Sequence, residues 1–67
     1  MIVYKIDVLK ELKDKGYSVN YLMDNKIFGG GTITLLKNQK PIKFDTLDKL
    51  CYLLGCNVED IITFKME

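Results

Sequence analysis

Residues 18–40 constrain the fold of this chain more than any other stretch. They predict two short helices joined by a tight turn, and the second helix opens at residues 29–32 with Gly-Gly-Gly-Thr. Ser18 is a favourable N-cap for the first helix of the pair. Ile27 and Phe28 supply an apolar elbow between the two helices. Short helices connected in this way form a helix-turn-helix.

Apolar residues at helical spacing predict three further helices around this pair. Asp7 is suited to cap the first helix and Gly16 to end it, while Asn57 and Asp60 have the spacing of a capping box before the last. Gly55 is suited to end the fourth helix. The five predicted helices cover residues 8–15, 18–25, 30–38, 45–54 and 58–62.

Both ends of the chain have the alternating pattern of short strands. Residues 1–6 are rich in β-branched and aromatic side chains, and residues 63–66 resume the alternation with Phe64 and Met66. The two segments are able to pair as a small sheet, either within one chain or between two chains. The expected fold class is therefore all-α, with five helices and short terminal β-strands as a compatible addition.

A chain of 67 residues with 48% hydrophobic residues is long enough for one small domain, which we place at residues 1–67. No apolar run approaches the roughly 20 residues that a membrane-spanning helix needs. No charged segment followed by an apolar one opens the chain as a signal peptide does. We therefore expect a soluble cytoplasmic protein.

The positive charges of the chain are concentrated around the predicted turn and third helix. The net charge is only +1, yet residues 25–44 contain four lysines and no acid. These lysines either form an ordinary solvated face or attract an anionic partner. Because the chain has no arginine, which recognises guanine edges through a bidentate fork, we expect lysine contacts with phosphate rather than with bases.

The inventory of reactive side chains argues against catalysis and against a metal site. Cys51 and Cys56 are the only cysteines, and the chain has no histidine, so a usual four-ligand zinc site is not expected. We expect both cysteines to be small buried hydrophobes rather than a disulfide. With one serine and no phosphate-binding loop motif, the chain is not expected to be an enzyme or to use a cofactor.

Residues 7–62 resemble the phage-repressor or Cro-like family of small helix-turn-helix transcriptional regulators, also called the xenobiotic-response-element type. The resemblance rests on Gly-Tyr-Ser at 16–18, Thr-Ile at 32–33 with Leu36, Lys-Asn-x-Lys-Pro at 37–41, and Asp-Thr-Leu-Asp-Lys-Leu-Cys at 45–51 followed by Leu-Gly-Cys at 54–56. It implies a five-helix, lambda-repressor-like domain that binds double-stranded DNA without a small-molecule ligand.

The resemblance also assigns roles to individual positions. The recognition helix, about Gly30–Asn38, is expected in the major groove of DNA. Its expected base contacts are Gly30, Gly31, Thr32, Thr34 and Leu35. The expected phosphate contacts are Ser18, Lys37, Asn38, Lys40 and Lys43.

Three of these positions depart from what the family usually carries. Family members have polar side chains where this chain has Gly30, Gly31 and Leu35, and a glycine offers only its backbone N–H, which suits phosphate but cannot distinguish base pairs. The alternative hypothesis is therefore a protein-interaction module that retains the fold but has lost base readout. It would dock a partner through Phe28, Leu35 and the glycines.

A homodimer is the expected oligomeric state, since related domains often bind two half-sites by symmetry. The terminal segments are expected to form the contact between the two chains. The candidate dimer residues are Tyr4, Phe64 and Met66, although packing within one chain explains them almost equally well. Neither the operator, the regulated genes nor the choice between activation and repression follows from the sequence.

Overall fold

Five helices and two short strands make up residues 1–66, the part of the chain that the computed structural model describes. In chain order they are β1 (Ile2–Tyr4), α1 (Val8–Asp14), α2 (Val19–Asp24), α3 (Gly30–Lys37), α4 (Phe44–Leu54), α5 (Val58–Ile61) and β2 (Ile62–Phe64). The all-α, five-helix fold with short terminal strands is therefore confirmed. None of the described helices has the length and apolar character needed to cross a membrane.

Side chains at the N-termini of three helices accept hydrogen bonds from backbone N–H groups that have no acceptor within the helix. The Asp7 carboxylate accepts from the Lys10 N–H at 3.3 Å. The Ser18 hydroxyl oxygen accepts from the Tyr21 N–H at 3.2 Å. Asn57 and Asp60 form the predicted capping box. By contrast, α3 begins after Gly29, which has no side chain to act as a cap.

The helices α1 to α4 all end in the same way. A residue with a left-handed backbone follows the last turn, and the next residue donates its N–H to the carbonyl five positions earlier, which is the Schellman motif. The left-handed residues are Gly16 (φ 95°), Lys26 (φ 56°), Gln39 (φ 55°) and Gly55 (φ 64°). The closing bonds are Tyr17 to Leu12 (2.8 Å), Ile27 to Leu22 (2.9 Å), Lys40 to Leu35 (2.8 Å) and Cys56 to Cys51 (3.1 Å).

Every helix contributes to one hydrophobic core. Ile33 and Leu36 of α3 and Phe28 of the turn are buried as the sequence predicts. None of the buried side chains within residues 1–66 is polar or charged. The core consists of Val8, Leu12, Leu22, Phe28, Ile33, Leu36, Leu47, Leu50, Leu54 and Ile61. Because α3 packs against α1 and α4 packs against both α1 and α5, these contacts fix α3 in place on one side of the domain.

The two strands pair antiparallel within one chain. Ile2 lies opposite Phe64, and Tyr4 lies opposite Ile62. The fifth helix ends at Ile61 rather than at the predicted Ile62, because Ile62 adopts an extended backbone (φ −132°, ψ 161°) and begins β2. The sheet therefore joins the first and last elements of the fold.

Candidate nucleic-acid interface

The third helix presents a continuous outward face with little side-chain volume. Ile33 and Leu36 hold the opposite face of α3 against the core, while Thr32 is half-buried at its edge. The exposed positions recur at helical spacing and continue into the C-cap. They are Gly30, Gly31, Thr34, Leu35, Lys37 and Asn38. Four of the five predicted base-contact residues are thus exposed together, and the fifth, Thr32, is partly covered.

The packing within this chain does not require the glycines of α3. A Cβ atom at Gly31 would meet no described atom within 4 Å, and one at Gly30 would lie 3.8 Å from the Met23 methyl, which is ordinary van der Waals contact. Gly29 has a φ of −79°, which any residue adopts. Among the described residues, no side chain caps the first-turn N–H groups of α3.

The hydroxyl of Thr34 is already engaged within its own helix. Its Oγ1 donates to the Gly30 carbonyl at 3.0 Å. The proton is therefore used internally, and the side chain offers an acceptor oxygen and a methyl group to a ligand. This engagement reduces the capacity of α3 to donate hydrogen bonds to base edges.

Lysines from two helices come together at the C-terminal end of α3. Lys37 lines a shallow depression of about 410 Å³ together with Lys10 and Lys13 of α1 and Val19 of α2. Asp7 and Leu9 complete its lining. Lys37 is among the phosphate contacts expected from the sequence, whereas Lys10 and Lys13 are not. Their spacing of three residues does place both on one face of α1, but it does not indicate which helix lies beside that face.

The loop after α3 is held by α3 itself and by β1. The Lys40 N–H donates to the Leu35 carbonyl at 2.8 Å, and the Lys40 carbonyl accepts from the Tyr4 hydroxyl at 2.8 Å. Burial raises the pKa of the Tyr4 phenol above its ordinary value. The Lys40 side chain is exposed, and Lys43 provides the N-cap residue of α4. Tyr4, a predicted dimer residue, therefore contacts its own chain in this structure.

The comparison with protein-family models matches residues 7–67 to the Cro/C1-type HTH DNA-binding domain. The chain belongs to this family. The match confirms the resemblance drawn from the sequence, and DNA binding is the general activity of Cro/C1-type domains. Neither the comparison with curated proteins nor the comparison with solved structures found a match.

One lysine of this Cro/C1-type domain, which is not among the expected site residues, reaches from α4 to the turn before the glycines. The Lys49 ammonium donates to the Ile27 carbonyl at 3.3 Å and lies 6.0 Å from the centroid of the Phe28 ring. It therefore supports the turn from α4 and places a positive charge near the start of α3. The contact joins residues 22 positions apart, so no local pattern in the sequence indicates it.

The two other predicted dimer residues are exposed at the end of the sheet. Phe64 has 64% and Met66 has 80% of its surface accessible, which leaves both available to a partner. Phe28, which the alternative hypothesis placed on a docking face, has only 4% of its surface accessible. The structure therefore excludes Phe28 from that face, because its ring fills the core beneath the turn.

Proposed function

We propose that this Cro/C1-type domain is a sequence-selective transcriptional regulator that places its recognition helix, Gly30–Asn38, in the major groove of double-stranded DNA. The observation that carries the proposal is the exposed face of α3. It is narrow because two of its positions are glycines, and it is rigidly backed by Ile33 and Leu36 in the core. A helix supported in this way is able to enter a groove about 12 Å wide without changing shape.

Positive charges on both sides of α3 supply the affinity. We assign the phosphate contacts to Ser18, Lys37, Asn38, Lys40 and Lys43, and we add Lys10 and Lys13, which share a depression with Lys37. The Ser18 oxygen accepts from a backbone N–H, so its hydroxyl proton remains able to donate to a phosphate oxygen. Each lysine that neutralises a phosphate steepens the salt dependence of log K by about 0.9.

Base selectivity in this proposal is mainly apolar and steric. Leu35, with 38% of its surface accessible, is placed to contact a thymine methyl group. Thr32 and Thr34 contribute acceptor oxygens and methyl groups, since the Thr34 proton is used within the helix. Gly30 and Gly31 allow the helix backbone to approach the DNA closely.

The domain is further proposed to act in the cytoplasm as a homodimer, without cofactor or small-molecule ligand and without catalytic activity. Phe64 and Met66 are the exposed apolar residues that favour dimerisation, because both lie at the sheet end of the domain. Tyr4 belongs to this surface as a support, since its hydroxyl binds the Lys40 carbonyl. Two copies related by a twofold axis would read two half-sites. Sedimentation that shows only monomer at high concentration contradicts this part.

A protein-interaction role is the second candidate, and one observation favours it. The outward face of α3 combines an exposed Leu35 with two glycines, and the Thr34 hydroxyl on this face is engaged within the helix. Such a face suits an apolar partner. If Gly30→Gln and Gly31→Gln leave function unchanged while Leu35→Glu abolishes it, the interaction role is supported.

Fluorescence anisotropy with labelled genomic fragments tests the DNA-binding proposal. We expect binding tighter than micromolar at low salt, with affinity that falls as salt rises. Lys40→Ala should weaken binding to every fragment and reduce the salt slope by about 0.9, because it removes one phosphate contact. Lys15→Ala is the matched control, since Lys15 lies near Cys56 and does not line the depression that contains Lys37. The proposal would be refuted if log K had the same salt dependence in Lys40→Ala and Lys15→Ala, or if no binding were seen at micromolar protein.

A further inference from the structure

Cys51 and Cys56 are brought together by the motif that ends α4. The Cys56 N–H donates to the Cys51 carbonyl at 3.1 Å, across the left-handed residue Gly55. These two positions are the ones whose side chains typically meet in a Schellman motif. Both cysteines are free and half-buried, and both line the same groove. The motif therefore places the two cysteine residues at the same end of α4 and in the lining of one groove.

The groove that the two cysteines line is open to a small ligand. It has a volume of about 470 Å³ and is lined by Phe44, Leu47, Asp48, Asn57 and Val58 in addition to the two cysteines. Burial, and then the neighbouring Cys51 and Asp60, raise the pKa of the Cys56 thiol, while Lys15 lowers it less. A cation that binds here must be strongly thiophilic, because it displaces the protons of both thiols.

The number of side chains available as ligands limits which metal ion this site could bind. Within residues 1–66, no group of three or more Cys, Asp or Glu side chains is arranged to hold a metal ion, and the sequence has no histidine. Zinc requires four ligands, so this pair does not suit it. Soft thiolate ligands select Cu(I), a d¹⁰ ion that is satisfied by two sulfur ligands.

We propose that Cys51 and Cys56 form a bis-thiolate site for a soft monovalent cation of the Cu(I) class. Binding forms two metal–sulfur bonds and releases the two thiol protons to solvent, with no change in oxidation state. The bound ion would bridge the end of α4 to the residues that lead into α5. The site is independent of the DNA-binding surface proposed above.

Competition with a chromogenic Cu(I) chelator, under anaerobic reducing conditions, tests the proposal on the folded full chain. We expect one Cu(I) per chain by native mass spectrometry and at least about a hundredfold weaker binding in Cys51→Ser and in Cys56→Ser. Circular dichroism establishes that each variant is folded. A stoichiometry of one ion per two chains, or single-serine variants that bind as tightly as the parent, would overturn the site.

A second measurement tests the distance between the thiols without metal. Dibromobimane becomes strongly fluorescent when it bridges two neighbouring thiols, forming two carbon–sulfur bonds and releasing two bromide ions and two protons. We expect rapid bridging of the folded parent chain at one reagent per chain. Bridging that occurs only after the chain is unfolded would overturn the proposal, because the folded backbone would then hold the thiols apart.

Discussion

Replacing Gly31 with alanine should stabilise this domain. Glycine is about 1 kcal/mol less favourable than alanine inside a helix, and the penalty is smaller in the first turn. Gly31 is the second residue of α3, and a Cβ atom there would meet no described atom within 4 Å. The added methyl therefore brings no steric cost, and we expect a gain of about 0.5 to 1 kcal/mol in the free energy of unfolding.

For a domain of this size, such a gain corresponds to a rise in Tm of about 2 to 8 °C. Thermal and urea unfolding followed by circular dichroism measure it. The matched control is Gly55→Ala, where the same methyl is added at a φ of 64°. Because alanine is strained in the left-handed region, the control should lose about 1 to 2 kcal/mol. A Gly31→Ala variant that is no more stable than the parent would refute the reasoning.

Gly31→Ala also separates the effect of Gly31 on helix stability from its effect on DNA binding. If the α3 backbone approaches DNA as proposed, the methyl of Gly31→Ala projects into that contact and weakens binding at least about fivefold while stability rises. Unchanged affinity would mean that the glycine plays no part in the contact with DNA.

Three further outcomes follow from contacts described above. Tyr4→Phe removes the hydrogen bond to the Lys40 carbonyl and should cost about 0.5 to 1.5 kcal/mol in urea unfolding; a loss below the error of the measurement would show that the bond contributes nothing. Because the folded state raises the pKa of Tyr4 above 10.0, the parent should lose stability as pH rises beyond that value, and Tyr4→Phe should lose less. Gln39→Gly relieves a left-handed non-glycine residue (φ 55°) and should raise the Tm by a few degrees, whereas an unchanged or lower Tm would show that the side chain is not strained.

Local signals in the sequence were sufficient for most of the fold. Asp7, Ser18 and the Asn57–Asp60 pair cap helices as predicted, because capping depends on residues only three positions apart. Gly16 has the left-handed backbone that its predicted role as a stop implies. Lys26 adopts the same conformation without being glycine, which the sequence does not indicate, since the surrounding contacts rather than propensity impose it.

The candidate interface was predictable only in part, because much of it depends on contacts between distant segments. The exposed face of α3 follows from helical spacing once Ile33 and Leu36 are assigned to the core. The approach of Lys10 to Lys37 depends on how α1 crosses α3, and the contact from Tyr4 to the Lys40 carbonyl spans 36 positions. No pattern within a single helix encodes such distances.

The pairing of β1 with β2 links the two extremities of the fold to the loop beside the recognition helix. The Lys65 N–H donates to the Met1 carbonyl at 2.7 Å, so the sheet joins residues 64 positions apart. Both strands have only three residues and bury little surface, so the sheet is expected to open first, and its amides should exchange with deuterium fastest among the ordered elements. Each opening would also detach Tyr4 from the Lys40 carbonyl and loosen the loop that follows α3. Local opening of the terminal sheet would thereby increase the mobility of the loop that follows α3.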